Sequence, residues 1–268
     1  MTEGAHGDGR GILRRRTALE RFQIDRRAPS PDLATVADYV WVLTWDLRDH
    51  EPHTQRVLSH PSVNMTFTTG GRARVVGVVR GVFSETIQGQ GRVVGVRFRP
   101  GGFRPFLDGP VSGITDLFTP VEEIFGPEAR AVADALIAEP GADEAVARLE
   151  GFLRSRTPDR TDPMVTEVAA IVDRVAADPA LLRVDELAAA VGIGTRRLQR
   201  IFAEYVGVSP KWVLRRYRMQ EAADRAGGGT GVDWAALSTE LGYADQAHFT
   251  RDFSKVIGLS PAQYARGC

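Results

Sequence analysis

The stretch from Leu187 to Arg266 contains one unit twice, and this repeat constrains the chain more than any other feature. The first copy is LAAAVGIGTRRLQRIFAEYVGVSP, Leu187 to Pro210, and the second is LSTELGYADQAHFTRDFSKVIGLSP, Leu237 to Pro261. Leu187, Val191 and Gly192 match Leu237, Leu241 and Gly242. One extra residue then enters the second copy. Beyond it, Leu198, Arg200, Phe202, Gly207, Val208, Ser209 and Pro210 match Phe249, Arg251, Phe253, Gly258, Leu259, Ser260 and Pro261. Two copies are too few for a solenoid, which needs stacked neighbours to bury its core, so a paired device is expected.

Each copy has the pattern of two helices joined by a tight turn. Apolar residues four apart, Leu187 with Val191 and Leu237 with Leu241, predict a short first helix. Gly192 or Gly242 supplies the left-handed residue that ends it. One apolar residue follows, Ile193 or Tyr243, and a second helix starts with Thr195 or Asp245 as N-cap. The first copy has Arg183 where the second has the good cap Asp233, which predicts a later start near Asp185. Leu198, Ile201 and Phe202, or Phe249 and Phe253, form the buried stripe. Arg196, Arg197, Gln199 and Arg200 face out in one copy, and Gln246, Ala247, His248, Thr250 and Arg251 in the other. Arginine, glutamine, threonine and alanine are side chains that read base edges and thymine methyls in a major groove, and the second helix of such a motif enters that groove.

The tandem motif, the G-(V/L)-S-P ending of each copy and the helix between them resemble the AraC/XylS family of bacterial transcription regulators. The resemblance covers the C-terminal part of the chain. It implies an all-α domain of two helix-turn-helix subdomains joined by a long helix, entering successive major grooves on one face of double-stranded DNA. Carried over by position, it gives Arg196, Gln199 and Arg200, then Gln246, Ala247, Thr250 and Arg251, as base-reading residues. For each arginine the alternative is a phosphate contact or a solvated side chain, because most protein–DNA hydrogen bonds go to the backbone.

Formal net charge is zero, so no global basic footprint exists. The charge is segregated instead. Between Arg196 and Arg218 lie Arg196, Arg197, Arg200, Lys211, Arg215, Arg216 and Arg218 against a single acid, Glu204. That local field fits a polyanion and adds Lys211 and Arg215 to the expected DNA contacts. The one cysteine, Cys268, supports neither a disulfide framework nor a thiolate metal site. No apolar run reaches membrane-spanning length, and the N-terminus lacks the apolar segment of a secretory signal. A cytoplasmic protein without a membrane partner is expected.

The overall expectation is an α+β chain in two domains. Residues 1–27 are expected to form a flexible arm, whose Arg14, Arg15 and Arg16 are either a simple tail or phosphate contacts. Residues 28–156 begin strand-like. Tyr39–Asp46, Gln55–Leu58, Val63–Thr68, Arg74–Val79 and Arg92–Arg99 are β-branched or aromatic runs between turn residues. This spacing predicts a small β-barrel or sandwich. GVRFRPGGFRPFL, Gly95 to Leu107, leaves a strand for a short helix. Together with TDLFTPVEEIFG it is similar to a poorly characterised N-terminal domain of some AraC-type regulators. That similarity implies a cupin-like sensory or oligomerisation role and names no ligand. From Pro120 to Arg156 the period becomes helical, with stripes at Val132, Ala135 and Leu136 and at Val146, Leu149, Phe152 and Leu153. These pack on the β-domain or make a dimer interface. Residues 157–161 (TPDRT) form the linker, and 162–268 the DNA-binding domain, opening on a helix capped by Asp162 with Pro163 at its first position.

Two features of the N-terminal half bear on function. His50, His53 and His60, with Asp46, Asp49 and Glu51, include metal-ligand types, but nothing in their spacing fixes the ring directions, and a polar loop is the expectation; no metal or cofactor is expected. Trp41, Trp45, Asn64, Phe67, Arg97 and Arg99 lie on expected strands where alternation sends some inward, and Trp45, Asn64, Phe67 and Arg97 form the candidate set for a small-molecule effector. The alternative for each is ordinary core. The leading function is a one-component transcription regulator that binds specific DNA, contacts RNA polymerase, and senses a signal or forms a homodimer through its N-terminal domain. The other readings are a DNA-targeted enzyme, such as a repair protein or metal-dependent cupin, and a DNA-binding protein whose N-terminal half only dimerises.

Overall fold

The computed structural model describes residues 11–139, 141–160, 162–227 and 231–266. A short helix α1 (Arg15–Leu19) precedes strands β1 (Gln23–Arg27), β2 (Ala37–Leu47), β3 (His53–Val57), β4 (Asn64–Thr68), β5 (Arg72–Val76), β6 (Phe83–Ile87), β7 (Gly89–Phe98) and β8 (Phe118–Pro120). Six strands form an antiparallel sheet in the order β1-β2-β7-β4-β5-β8, while β3 and β6 pair with each other. Of the two expected forms, barrel or sandwich, the closed barrel is therefore not formed. β1 and β8 are the two edges of the large sheet, and β8 is a three-residue strand ending in Pro120, too short to carry the sheet round. The short helix expected after Gly95 is a single 3-10 turn, Arg104–Phe106.

The sheet has two unlike faces. Val40, Val42, Met65, Phe67, Val75, Val94, Val96 and Phe98 point to one side and are buried. They pack under α2 (Val121–Phe125), α3 (Glu128–Ala138) and α4 (Ala142–Arg156), whose Leu136, Leu149 and Leu153 are fully buried in the same cluster. The stripes on α3 and α4 thus cover the sheet, which was one of their two expected roles. The opposite face looks toward the β3–β6 ribbon.

The described part of the arm is built into the fold rather than free. Ile12 bridges Val57, Leu13 N–H donates to the Arg56 carbonyl at 3.1 Å, and β1 zips along β2 from Gln23↔Thr44 to Arg27↔Val40. Leu13, Ala18 and Phe22 are apolar and bury themselves, which is what anchors this segment. Residues 1–10 lie outside the described residues, as do the side chains of Arg15 and Arg16.

The C-terminal part is all helix: α5 (Pro163–Ala177), α6 (Val184–Ala190), α7 (Thr195–Ile201), α8 (Pro210–Gly227), α9 (Trp234–Glu240), α10 (Gln246–Ile257) and α11 (Pro261–Arg266). Asp162 caps α5 by accepting from Met164 N–H, with Pro163 in the first turn as expected. Leu187, Leu198, Phe202, Val213 and Leu214 belong to the same buried cluster as the sheet, so the core runs unbroken from the β-domain into the first helix pair. The second pair has its own core of Leu237, Phe249, Phe253, Ile257 and Tyr264 around Met219 of α8, closed by Leu13 and Leu58. No helix among the described residues is long and apolar enough to cross a membrane.

Candidate nucleic-acid interface and cavity

Each repeat folds as its residues require. Gly192 and Gly242 both adopt left-handed backbone, with φ of 70° and 72°, a conformation that costs glycine little. The extra residue of the second copy lies in the turn. One residue, Ile193, separates Gly192 from the N-cap Gly194, whereas Tyr243 and Ala244 separate Gly242 from the N-cap Asp245. Asp245 caps α10 through His248 N–H at 2.6 Å. Thr195 is not the cap expected of it; it is the first helical residue, and Gly194 takes the cap position without a side-chain bond. α6 starts at Val184, one residue earlier than expected, because Glu186 accepts from the Leu182 and Arg183 amides at 3.1 and 3.0 Å. α7 runs on into one π turn, Phe202–Val206, whose Tyr205 hydroxyl donates to Asp162.

On α7, Arg196, Arg197, Gln199 and Arg200 are exposed while Leu198 is fully buried. On α10, Gln246, Ala247, His248 and Arg251 are exposed, Thr250 is half-buried, and Phe249 and Phe253 are buried. The structure therefore brings the expected residues onto one outward face of each helix. Arg196, Arg197, Arg200 and Arg251 make no ion pair among the described residues, so their guanidinium groups stay available to an outside anion. Lys211 is exposed at the start of α8.

Three arginines of the basic segment serve the fold instead. Arg215 of α8 donates to Asp252 of α10 at 2.6 Å, and Asp252 also accepts from the Tyr243 hydroxyl at 3.3 Å. Arg215, one of the expected DNA contacts, thus pins the connector to the second motif. Arg216 is buried, donates to the carbonyls of Arg80 and Gly81, and stacks on Trp212 at 4.5 Å. Arg218 donates to the Leu241 carbonyl at 3.3 Å and lies over Tyr243. At i, i+1 and i+3 on α8 these residues turn away from a single face, which a count of charges along the chain cannot reveal.

A cavity of about 690 Å³ lies between the large sheet and the β3–β6 ribbon. Trp45, Asn64 and Arg97 line it. Phe67 does not. It is fully buried on the helix-covered face, because Asn64 and Phe67 are an odd number of residues apart on one strand and must point to opposite faces. Arg97 is held by Asp38 and stacks on Tyr39 at 4.3 Å. Trp45 donates from Nε1 to the Gln88 carbonyl at 3.0 Å. The histidines of the weighed metal cluster are separated: the His53 ring contacts Gln55 at 3.2 Å and the His60 ring meets Tyr217 at 6.2 Å between centroids. No group of three or more metal-ligand side chains occurs among the described residues.

Trp41, weighed with the candidate set, lines the cavity too, as do Thr66, Arg26 and Arg74, which residue-by-residue reading missed. What seats the tryptophans is pairwise. Trp41 and Trp45 are four apart on β2, and Gly91 and Gly95 are four apart on β7; the register pairs Trp41 with Gly95 and Trp45 with Gly91. A Cβ at Gly95 would lie 2.5 Å from the Trp41 ring, and one at Gly91 would lie 2.2 Å from the Trp45 ring. Both indoles therefore lie across the neighbouring strand where only glycine leaves room.

One strand belongs to both sites. Gln55, Val57 and Ser59 line the cavity. Arg56 between them donates to the Ile257 carbonyl of α10 at 2.7 Å, and the Leu58 carbonyl accepts from Gln220 of α8 at 2.9 Å. Arg99–Asp173 at 3.0 Å, Arg104–Glu204 at 2.6 Å and Thr115 Oγ1 to the Gly207 carbonyl at 2.7 Å complete the seam between the domains.

Comparison with known proteins bears on each half. Residues 187–267 match the model of a helix-turn-helix domain. A relative from Haemophilus influenzae, described as an uncharacterized HTH-type transcriptional regulator, is 31% identical over 83 residues. The C-terminal part of this chain is a helix-turn-helix domain. That match covers 31% of this chain and 28% of the relative's length. Residues 25–120 match a second model, described as a domain of unknown function (DUF6597). Among solved structures, the C-terminal domain of AraT, a response regulator from Geobacillus stearothermophilus, is 26% identical, with a TM-score of 0.33 over 37% of this chain and 85% of that one. ToxT from Vibrio cholerae is 12% identical, with a TM-score of 0.42 over 92% of this chain and 98% of its own.

Proposed function

We propose that the chain is a one-component transcription regulator, not an enzyme, whose AraC-type domain binds a specific double-stranded DNA site. The observation that carries this is the pair of helices α7 and α10. Each buries one face and presents the other as arginine, glutamine, threonine, alanine or histidine, with no ion-pair partner for its arginines among the described residues. The 18-residue connector α8 is about 27 Å long at 1.5 Å per residue. That length suits two motifs addressing major-groove segments roughly one helical turn of DNA apart. Arg196, Gln199 and Arg200, then Gln246, Ala247, Thr250 and Arg251, are the proposed base-reading residues, with Arg197, Lys211 and His248 nearer the phosphates. The cavity supports a sensory role for the N-terminal domain through Trp45, Asn64 and Arg97, because its size and its apolar lining with a few polar groups suit a small molecule. Homodimerisation, contact with RNA polymerase and a cytoplasmic location belong to the same reading.

Selection of bound sequences from a random duplex library at physiological salt, with the full chain, tests it. One recovered motif with two conserved segments about one helical turn apart is the expected result. Binding that is weak, salt-sensitive and without sequence preference, with and without a cavity ligand, would sink the proposal.

A further inference from the structure

The helices α7 and α10 can be compared position by position, because the structure phases them alike. One offset relates every landmark of the first to its counterpart in the second. The N-cap residues Gly194 and Asp245 correspond, as do the fully buried pairs Leu198 with Phe249 and Phe202 with Phe253. The left-handed glycines that close them, Gly207 and Gly258, with φ of 90° and 83°, keep the same step. The π turn of the first copy begins only at Phe202, beyond the outward residues. Equal positions therefore take equal sides of the two helices.

Read in that register, the exposed face pairs Arg196 with Ala247, Arg197 with His248, Gln199 with Thr250 and Arg200 with Arg251. Only the last pair is the same residue in both. Arg196 and Arg200 lie one turn apart on one side of α7, and Ala247 and Arg251 do so on α10. At 1.5 Å per residue that separation is about 6 Å along the axis, close to the rise of two base pairs. Arg197 and His248 stand about 100° further round, toward the phosphates.

Arginine and alanine select different base pairs. A guanidinium donates two hydrogen bonds to the O6 and N7 acceptors that guanine alone presents together in the major groove. A methyl group donates nothing and packs against the C5 methyl of thymine. The shared arginine thus asks for the same pair in both halves of a site, and the position one turn before it asks for different ones.

We infer that the operator is an imperfect repeat whose two segments are told apart by Arg196 and Ala247; this rests on the DNA-binding reading above. Each segment carries a G·C pair read by Arg200 or Arg251. About two base pairs from it, the α7 segment carries a second G·C pair, read by Arg196, where the α10 segment carries a T·A pair packed on Ala247. That one difference fixes which motif takes which segment.

The test is equilibrium competition with the full chain at physiological salt. Its duplexes are the site recovered by selection from a random library and every single-pair variant of that site. Arg200→Ala and Arg251→Ala, each erasing a preference for G·C in a different segment, locate the two halves. Arg196→Ala should erase the preference at one further G·C pair in the Arg200 segment, a loss of about five- to 150-fold in discrimination, and leave the Arg251 segment unchanged. Ala247→Arg should change T·A to G·C at one position of the Arg251 segment and make the two segments alike there. Both substitutions fall on exposed helix positions, where folding is little affected. Equal weakening of every duplex by Arg196→Ala, an unchanged preference after Ala247→Arg, or effects of both variants in one segment would overturn the inference while leaving specific DNA binding intact. Failure to recover any site would remove the reading beneath it as well.

Discussion

Arg251 and Phe253 lie two residues apart on α10, on opposite sides of one helix, and should separate recognition from folding. The Phe253 ring is fully buried, with Phe249 at 5.7 Å and Tyr264 at 5.8 Å between centroids. Removing such a ring loses its transfer free energy and leaves a void, together about 3–5 kcal/mol for Phe→Ala. Against a typical total of about 5–15 kcal/mol this is a large fraction of stability. Phe253→Ala should therefore lower the urea midpoint of helix unfolding, followed by circular dichroism, well below that of the parent. Arg251 is exposed and without an ion pair among the described residues, so Arg251→Ala should change stability by no more than about 0.5 kcal/mol. Its cost should appear on DNA instead, as roughly 1–3 kcal/mol of lost discrimination at one base pair, or about five- to 150-fold. A parent-like midpoint for Phe253→Ala, or a large stability loss for Arg251→Ala, would refute the facing assigned to α10. An equal loss of affinity for every duplex would move Arg251 from base to phosphate.

Arg215→Ala and Asp252→Ala should weaken DNA binding alike, and the double variant should be no worse than either. If Arg215 instead contacts phosphate, Asp252→Ala would leave binding intact or strengthen it. Gly95→Val should expel the Trp41 indole from its seat, seen as a red-shifted tryptophan emission, at a cost of about 1–3 kcal/mol; unchanged emission contradicts the close approach. The pair Asp162 and Tyr205 predicts a pH dependence. The Tyr205 hydrogen bond, with the Met164 amide, holds the Asp162 carboxyl below its usual range. Burial, then the hydrogen bond to Asp162 and after it the Asp162 charge, pushes the Tyr205 hydroxyl up to about 12. Asp162 therefore contributes stability that is complete above the ordinary carboxylate pKa and lost as pH falls through its lowered one. The contribution of Tyr205 is complete below its ordinary value of 10.0 and lost as pH rises toward about 12. Tyr205→Phe should shrink the alkaline loss in urea midpoints over that range, leaving the part due to Tyr243, which burial also pushes up to about 12. An unaltered alkaline limb would count against the bond.

The helical half was legible because its signals are local. Gly192, Gly242, Asp245 and the buried phenylalanines act within a turn or two of their own positions, and the structure leaves them where spacing puts them. Thr195 failed as a cap because the inserted residue alters only the turn, which the two copies do not share. The sheet was less legible because its decisions are long-range. β1, β6 and β8 are short and unremarkable in composition, and they become strands through partners far along the chain. Phe67 was set with Asn64 although strand parity divides them. The Trp41–Gly95 and Trp45–Gly91 matches, about fifty residues apart in the chain, are visible only once the β2–β7 register is known. The internal partners of Arg215, Arg216 and Arg218 were hidden for a related reason: charge density along a helix carries no information about which side each residue takes.

Strand β3 and the residues just after it tie the two halves of the molecule together through one run of backbone. Odd-numbered side chains from Gln55 to Ser59 touch the cavity, while Arg56 and Leu58 hold α10 and α8. A backbone that moves for one set moves for the other. Whatever factor an occupant imposes on operator affinity, the operator must impose on the occupant, since the two routes round a binding cycle share the same end states. A promoter fragment added to the protein would then act as an effector of the cavity, and ligand affinity measured on free protein would differ from that on the chromosome by the same ratio.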